Sequence, residues 1–465
     1  MTLVSARDVL TQAMSVLVPR VHQAFADWEN APDSVRERGV RLEESMPALD
    51  PFAWLLGQVI DEQILWSSRD ERDIRAGVGC CHVLSGDPVE RPDALFQAGQ
   101  RVLQSFAGPA PRYFGGFAFS SGSVDEHPWP RLGRSRFWIP RLELCLRDGQ
   151  GFLAINLFFQ RHVEQSVEDI LGQLGSVVLD AYRPGPLPTI VGRRDHPDRP
   201  GWEANVRAAL DMVEAGVLDK IVLARKAVYM FTDTVVPCHL LSVLREVTSH
   251  CYHFLLQVPG GTAFMGTPPE RLYRRQGRQI ETEALAGTRP RDADPAKDEA
   301  LSKELLESGK DRREQEIVRA TLLRQLHMLC QSVQGDAEPR LLKLERKQHL
   351  LSQLSGTLKA DVDDATLLAC LHPTPAVGGA PRDIALREIP RLEPFSRGWY
   401  AAPVGWFSAT DAEFAVAIRS GLVQERRVNI YSGAGIVAGS VPAEEWQEIE
   451  AKISDFVTVT RGRPH

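Results

Sequence analysis

The chain has 465 residues, of which 43% are hydrophobic and 25% are charged, a composition typical of a globular protein. Its formal charge of −7 at pH 7 gives no overall positive field of the kind that attracts nucleic acid, so nucleic acid is not an expected partner. The seven cysteines contain no C-x-x-C pair, which favours reduced thiols over a disulfide framework or a zinc site and predicts a cytoplasmic location.

The N-terminal part of the sequence predicts an amphipathic helix followed by antiparallel strands. The opening stretch MTLVSARDVLTQAMSVLVPRVHQAFA has neither a signal-peptide core nor enough consecutive apolar residues to span a membrane, because it is interrupted by Arg7, Asp8, Gln12 and Pro19. No membrane association is therefore expected. Further along, RYFGGFAF and RFWIPRLELCL alternate aromatic and aliphatic residues in the manner of antiparallel sheet. No catalytic constellation stands out in this part.

A proline-rich stretch divides the chain. From Tyr182 to Gly201 the sequence contains five prolines and three glycines with little periodicity, which predicts a connection that crosses the surface. The predicted division is an N-terminal region, residues 1–195, and a C-terminal region, residues 200–458.

The C-terminal region predicts strands separated by two helical tracts. Strand patterns lie in KIVLARKAVYMF, HFLLQVPGGTAFMG, EFAVAIRSGLV and RVNIYSGAGIV, and the Pro-Gly-Gly of the second predicts a hairpin. Helical patterns run over about 298–334 and from Pro442 to Phe456, the latter with Ser440 as its expected N-cap. The predicted fold class is α+β with much antiparallel sheet.

Several charged residues stand at positions where the patterns predict burial. Lys220 begins the apolar strand pattern KIVLAR, and a buried ammonium requires a partner. Glu314 shares a predicted helix face with apolar residues, and the last helix carries a charged stripe of Glu445, Glu448 and Lys452. Solvated helix faces would also explain these glutamates. If they are functional, ligands that are glutamates only favour a hard cation such as Mg²⁺.

The remaining candidates are a loop glutamate, an arginine and two glycines. Glu270 follows two prolines, where it is either held rigidly at a cavity or is an ordinary loop residue. Arg419 is predicted as a strand residue whose guanidinium suits either a substrate carboxylate or a structural ion pair. Gly287 and Gly433 lie in EALAGTRPR and YSGAGIV, which are not phosphate loops, so they mark either a bulge or the close approach of a ligand.

Eight motifs follow one another in the C-terminal region: KIVLAR, GTPPERL, LAGTR, KDRREQEIV, HPTPAVGG, FAVAIRSG, GAGIV and PAEEWQEIEAK. In identity and order they resemble the chorismate-binding enzyme family, which includes isochorismate, salicylate, anthranilate and aminodeoxychorismate synthases. The resemblance covers about 201–456, and earlier residues match chiefly at FGGFAF. It implies one α/β sandwich, in which large antiparallel sheets pack face to face with helices on the outside and the N-terminal region contributes strands and helices.

The resemblance implies an acid and a base. Lys220 lies where the water-using members have their general base, whereas the ammonia-using members typically have glutamine. Glu270 lies at the position of the family's general acid, although Pro268 stands where the usual motif has serine. General-base action requires a neutral amine, which apolar burial favours, and general-acid action requires a protonated carboxyl, which a dry site favours.

The resemblance also implies ligands for a metal and for the substrate. Glu314 and Glu448 are expected to bind Mg²⁺, with Glu445 supporting the metal through water. The substrate chorismate is expected to contact residues that hold its carboxylates and residues of HPTPAVGG, namely Gly287, His372, Ala376, Arg419, Gly433 and Lys452. At Ala376 the sequence resembles isochorismate synthases, whereas lyase-capable and amine-adding relatives tend to carry threonine. The stretch EPFSRGWYAAPVGW resembles the synthases of the menaquinone branch.

The implied reaction is the Mg²⁺-dependent, reversible isomerisation of chorismate to isochorismate, in which water adds at C2 and the C4 hydroxyl leaves. No organic cofactor is expected, nor is a glutaminase subunit, and the chain is expected to act as a monomer or homodimer. The alternatives are a salicylate synthase, which also eliminates pyruvate, and a non-catalytic chorismate-binding subunit. The sequence is compatible with a product that feeds menaquinone, siderophore or salicylate synthesis.

Overall fold

The computed structural model describes residues 5–32, 35, 37–86, 92–120, 129, 131–160, 166–180, 182, 184–344 and 347–460. The helices in these residues are α1 (Ala6–Glu29), α2 (Pro51–Leu56), α3 (Pro92–Gln104), α4 (Val167–Gly175), α5 (Arg199–Glu214), α6 (Pro237–Arg245), α7 (Pro295–Glu307), α8 (Gly309–Leu329), α9 (Asp364–Leu371), α10 (Arg382–Leu392) and α11 (Pro442–Thr460). None of these helices is long and apolar enough to cross a membrane.

The strands in the same residues are β1 (Glu37–Met46), β2 (Gln63–Ser67), β3 (Asp73–Gly86), β4 (Phe106–Ala107), β5 (Tyr113–Phe117), β6 (Ser135–Arg147), β7 (Gln150–Gln160), β8 (Ile190–His196), β9 (Lys220–Phe231), β10 (His253–Val258), β11 (Thr262–Gly266), β12 (Arg271–Gln276), β13 (Gln279–Pro290), β14 (Cys330–Gly335), β15 (Arg340–Lys343), β16 (Lys347–Leu358), β17 (Gly379–Ala380), β18 (Pro403–Phe407), β19 (Asp411–Val416), β20 (Ser420–Gln424) and β21 (Arg427–Ile436). The α+β class is confirmed.

The strands form one hydrogen-bonded network with a stem and two arms. In the stem, β4, β1, β7 and β6 lie side by side, and β1–β4 is the parallel pair among the described strands. The first arm continues from β6 through β3, β2, β10, β11, β20 and β21 to β9, which also pairs with β8 and β17. The second arm continues from β6 through β5, β18, β19, β12 and β13 to β16, which also pairs with β14 and β15.

The two arms face each other over a shared apolar core. Successive side chains of β10 point to opposite faces of the sheet, and both faces are covered. Phe254 and Leu256 belong to the core between the arms, and Leu255 belongs to a second core on the opposite face. From the second arm, Phe407 and Phe414 enter the same inter-sheet core. This is the face-to-face packing of antiparallel sheets that the resemblance implied.

Helices cover the outer faces of the sandwich. The predicted N-terminal helix is confirmed as α1, which buries Leu17 and Val21 in the second core and is capped by the Ser5 side chain. Helices α5 and α11 lie together beside β9 and β21, where the rings of Trp202 and Trp446 are 6.5 Å apart. Helix α8 lies along β13 and β16 of the second arm. Helices α8 and α11 are thereby placed at the site described below.

One predicted helical tract differs from the structure in two ways, because local and tertiary hydrogen bonds override the helical pattern. The tract predicted as one helix over about 298–334 is two helices, α7 and α8. They are separated at Ser308, whose hydroxyl accepts a hydrogen bond from the backbone N–H of Asp311 at 3.2 Å and so caps α8. The tract also ends earlier than predicted, because Cys330–Gly335 pairs with β16 as strand β14.

Other boundaries also need correction. The stretch predicted as a surface connection contains β8, which pairs with β9, and Arg183 lies outside the described residues. Ser440 is not the N-cap of α11; its hydroxyl accepts a hydrogen bond from the N–H of Val437 at 3.3 Å. Arg419 is not a strand residue. It lies in the bend between β19 and β20 with φ of 48°, so the single predicted strand EFAVAIRSGLV is two strands.

Candidate functional site

A cavity opens where β9, β13, β16 and β21 meet helices α8 and α11. Its wall combines acidic, basic and imidazole side chains with small, aromatic and apolar residues, and the acidic, basic and imidazole residues are Glu270, Glu314, His349, Arg419, Glu448 and Lys452. Gly287, Ala376 and Gly433 also line the cavity. Together with the residues just named, except His349, they make eight of the eleven predicted site residues. The other three predicted site residues do not line the cavity; they are Lys220, Glu445 and His372.

Lys220 is joined to the cavity through Glu314. Its side chain is fully buried, and its Nζ donates a hydrogen bond to Oε1 of Glu314 at 2.8 Å. Gly435 of β21 leaves room for this pair, because a Cβ at that position would lie 2.5 Å from Oε1 of Glu314 and 2.8 Å from Cε of Lys220. The ion pair links the buried lysine to a side chain that lines the cavity.

Glu270 lies at the end of the segment that joins β11 to β12. The residue is 3% exposed. Burial raises the pKa of its carboxyl to about 8; the negative charge of Glu283 adds to this effect, and the positive charge of Lys220 opposes it. The carboxyl is therefore protonated at neutral pH, which is the state that a general acid requires.

Helix α11 brings Glu448 and Lys452 to the cavity on adjacent turns. Nζ of Lys452 donates hydrogen bonds to Oε1 of Glu448 and to the backbone carbonyl of Gly433, each at 2.8 Å. Burial lowers the pKa of Lys452, but the nearby carboxylates of Glu448, Glu314 and Glu445 together raise it by more, so the net pKa is raised and Lys452 keeps its positive charge. A Cβ at Gly433 would lie 3.0 Å from the Tyr400 hydroxyl, so the strand approaches the cavity closely here.

Glu445 lies one turn before Glu448 but does not line the cavity. It is fully buried, and its Oε1 accepts a hydrogen bond from Nζ of Lys310 at 2.5 Å. Burial and the negative charge of Glu448 raise the pKa of the Glu445 carboxyl. The two carboxylates are therefore close enough to repel each other.

These carboxylates suit a hard divalent cation that also binds water and substrate. Proteins hold Mg²⁺ through one or two carboxylates and leave its other positions to water and to the substrate. The repulsion between the carboxylates of Glu445 and Glu448 is a feature that a nearby cation would relieve. Within the described residues, no group of three or more His, Cys, Asp or Glu side chains is close enough to hold a metal alone. The donor set fits an ion whose shell the substrate completes.

Arg419 is held from the second arm by His349. Its Nη2 lies 3.2 Å from Nε2 of His349, while Nδ1 of His349 lies 3.1 Å from the backbone carbonyl of Gly287. Burial and the charge of Arg419 lower the pKa of His349 to about 3, so the ring is neutral. A neutral ring that donates from Nδ1 to the carbonyl accepts from Arg419 at Nε2. Gly287 has φ of 68°, which glycine adopts readily.

The two predicted residues of HPTPAVGG separate in the structure. Ala376 lines the cavity. His372 does not; its ring packs edge-on against Phe119 with centroids 5.5 Å apart, and burial lowers its pKa to about 3. His372 therefore packs against Phe119 and does not face the cavity lining.

Sequence reasoning missed several residues that line the cavity. His349 lies in strand β16, Tyr400 precedes β18 and Tyr431 belongs to β21. The isolated histidine in HLLSQL was a usable signal, because a buried imidazole needs hydrogen-bond partners. The tyrosines give no comparable signal, since aromatic residues are common in buried strands.

Comparison with known proteins agrees with this architecture. The family model described as chorismate binding enzyme matches residues 26–461. Isochorismate synthase 2, a chloroplastic protein of Arabidopsis thaliana, is 35% identical over 381 residues, which cover 80% of this chain and 67% of that protein. Isochorismate synthase MenF of Escherichia coli strain K12 is 32% identical over 419 residues, which cover 89% of this chain and 91% of that protein.

A solved structure shows the same fold. The structure of MenF, the menaquinone-specific isochorismate synthase from Escherichia coli, matches this chain with a TM-score of 0.82 and 29% sequence identity. The match covers 97% of this chain and 100% of that one, so it includes the N-terminal strands and helices as well as the cavity.

Proposed function

The chain belongs to the chorismate-binding enzyme family, and on this premise we propose that it is an isochorismate synthase, an isomerase that interconverts chorismate and isochorismate. The observation that carries the proposal is the arrangement of a buried lysine and a protonated glutamic acid at one cavity. Lys220 reaches the wall through Glu314, and Glu270 lines it. Acid and base are the two groups that this reaction needs.

The two groups divide the proton transfers between them. Lys220, as the general base, accepts a proton from water as the water oxygen forms a bond to C2 of chorismate. The ring double bonds shift, the C4–oxygen bond breaks, and Glu270 gives its proton to the departing hydroxyl, which leaves as water. The atoms therefore balance without a redox cofactor, and the similarity of substrate and product makes the reaction reversible.

The cationic side chains of the cavity bind the substrate's carboxylates. Arg419 presents a planar guanidinium that suits a bidentate contact, and His349 restrains its position. Lys452 supplies a second positive charge next to the backbone of Gly433. These contacts orient the ring between Lys220 and Glu270, so that each group faces its own reacting carbon.

Mg²⁺ is the metal that we propose for this site, held by Glu314 and Glu448, with Glu445 acting through water. When bound, it would neutralise a substrate carboxylate and draw electron density from the ring. All of the proposed ligands are oxygen atoms, which is the preference of this ion. The proposal also assigns Ala376 to the specificity of the site, as the marker of synthesis without pyruvate elimination.

The expected assembly and location follow from the same proposal. Because Lys220 activates water rather than ammonia in this proposal, no glutaminase subunit is needed to supply ammonia. The chain acts alone or as a homodimer. The seven free cysteines agree with a reducing, cytoplasmic location.

The test is product analysis with purified protein. Chorismate is incubated with and without Mg²⁺ and with and without ammonium, and the products are separated by liquid chromatography. Isochorismate formed only with Mg²⁺, and without salicylate or pyruvate, supports the proposal. Salicylate with pyruvate would establish the salicylate synthase alternative, and an amino product would contradict the role of Lys220. Folded, Mg²⁺-loaded protein that gives no product would overturn the catalytic assignment.

A further inference from the structure

The segment that carries Glu270 is held at every residue from Thr267 to Arg271. The N–H of Thr267 donates to the carbonyl of Arg419 at 3.0 Å, and the carbonyls of Pro268 and Glu270 accept from Tyr252 and Val416. The two remaining contacts, at the Pro269 carbonyl and at the N–H of Arg271, are made by side chains. These two side chains belong to one ion pair.

That ion pair joins the N-terminal region to the segment. Nη1 and Nη2 of Arg69 contact the two oxygens of Glu283 at 2.6 Å and 2.9 Å. Nη1 of Arg69 also donates to the Pro269 carbonyl at 2.9 Å, and Oε1 of Glu283 accepts from the N–H of Arg271 at 2.9 Å. The pair therefore holds the residue before Glu270 and the residue after it.

We propose that Arg69 and Glu283 are positioning residues that fix Glu270 in the cavity. This inference rests on the proposed function, because it assigns the pair a role in the reaction of that site. A bidentate arginine–carboxylate pair is rigid enough for the purpose, since it fixes both the distance and the plane of its members. The side chains of the pair are 19% and 1% exposed, so solvent screens the contact only weakly.

The geometry has an electrostatic consequence for the acid. After burial, the charge of Glu283 makes the largest contribution to the raised pKa of Glu270. The other groups that face Glu270 come from β9, α8, α11 and the segment before β18, and they are Lys220, Glu314, Lys452 and Tyr400. The two lysines favour the ionised form of Glu270 and the glutamates favour the protonated form. Glu283 thus both holds the acid and helps to keep its proton.

The first test separates the charge of Glu283 from its hydrogen bonding. Glu283→Gln keeps an oxygen that can accept from the N–H of Arg271 but removes the negative charge. We expect the high-pH limb of the kcat/KM profile to move to lower pH by about one unit, because Glu270 then loses its proton more easily. A limb that stays at the wild-type pH would overturn the electrostatic part of the proposal.

The second test removes the other partner. Arg69→Met should lower kcat by about tenfold to a hundredfold with little change in KM, because a displaced acid impairs the transition state more than substrate binding. Arg69→Lys should recover part of the loss, since it restores the charge without the bidentate geometry. The matched control is Arg72→Met on the same β2–β3 turn, where the side chain is 75% exposed and should leave kcat unchanged. Wild-type kcat in Arg69→Met would contradict the proposed clamp.

Hydrogen exchange tests the same clamp without turnover. The amide of Arg271 should exchange faster in Arg69→Met than in wild type or Arg72→Met, because its acceptor Glu283 is no longer held. Unchanged exchange would overturn the clamp even in an inactive protein. Failure of the proposed function is recognised separately, because wild-type protein would then make no isochorismate whatever the exchange rates.

Discussion

Lys220 and Glu314 are 94 residues apart in the chain, and Nζ of Lys220 donates a 2.8 Å hydrogen bond to Oε1 of Glu314. This contact gives the buried lysine the partner that its position at the start of an apolar strand requires. It also couples two proposed roles, since one member is the proposed base and the other a proposed metal ligand.

Replacement of Lys220 by methionine is expected to remove the base while keeping a side chain of similar length. We expect kcat to fall by about 10²–10⁴-fold, the usual contribution of a general base. The measurement is the rate of isochorismate formation at saturating chorismate and Mg²⁺. Lys303→Met, at a 72% exposed lysine of α7, is the matched control and should behave as wild type. Equal rates in the two variants would show that Lys220 is not the base.

The Lys220→Met variant also leaves Glu314 without its ion-pair partner. Loss of one member of a buried pair costs about 3–5 kcal/mol, and the 17% exposure of the Glu314 side chain should reduce that cost. Thermal unfolding of the variant therefore has to accompany the rate measurement, so that a loss of folded protein is not counted as a loss of catalysis.

The pH dependence of the reaction should report the proton of Glu270. The pKa of Glu270 is raised to about 8, so the acid is protonated below that pH and ionised above it. We expect kcat/KM to fall as the pH rises through about 8, by about tenfold per unit at higher pH. In Glu270→Gln this limb should be absent and the remaining rate low. A limb that persists unchanged in Glu270→Gln would assign it to another group.

Magnesium binding can be measured without turnover. Glu314→Gln and Glu448→Gln should each weaken binding of Mg²⁺ by about tenfold or more in titration calorimetry, because each removes a charged oxygen donor. Glu444→Gln is the matched control, since this exposed residue precedes the buried Glu445 in the first turn of α11 and does not line the cavity. Wild-type affinity in both ligand variants would refute the metal assignment.

Features that depend on neighbouring residues in the chain could be predicted from the sequence, whereas features that depend on distant segments could not. The apolar strand pattern of β10 and the helical stripe of α11 are local, so the sheet, the final helix and the burial of Lys220 could be anticipated. The position of Glu314 at the cavity could also be anticipated, because a carboxylate on an apolar helix face is a local conflict. The break at Ser308 was missed, because one capping hydrogen bond ended a pattern that remained helical on both sides.

The parts that could not be predicted depend on contacts between distant segments. Arg69 and Glu283 are 214 residues apart, and each is an ordinary charged residue in its own segment. His349 restrains Arg419, which is 70 residues away in the chain. Arg419 lies in a bend with a positive φ although it is not a glycine, so its residue type does not indicate that conformation. His372 resembled a site residue in its motif, yet its ring packs on Phe119, because the local motif does not determine which way the side chain faces.

Gly435→Ala tests whether the Lys220–Glu314 contact has to be as close as it is. An added Cβ would lie 2.5 Å from Oε1 of Glu314 and 2.8 Å from Cε of Lys220, distances that force both side chains to move. We expect kcat to fall by about tenfold to a hundredfold, because a displacement near 1 Å has that effect on catalytic groups. The fold should be retained, since two side-chain ends rather than backbone atoms have to shift.

The control for this variant is Gly192→Ala in β8. There an added Cβ would meet only the Cβ of Met230, at 4.0 Å, so the change of residue type is the same but the contact is an ordinary one. Wild-type kcat is expected for Gly192→Ala, with similar thermal unfolding of the two variants. If Gly435→Ala also turns over at the wild-type rate, the pair tolerates displacement, and Lys220 does not need Glu314 in this position to act on water.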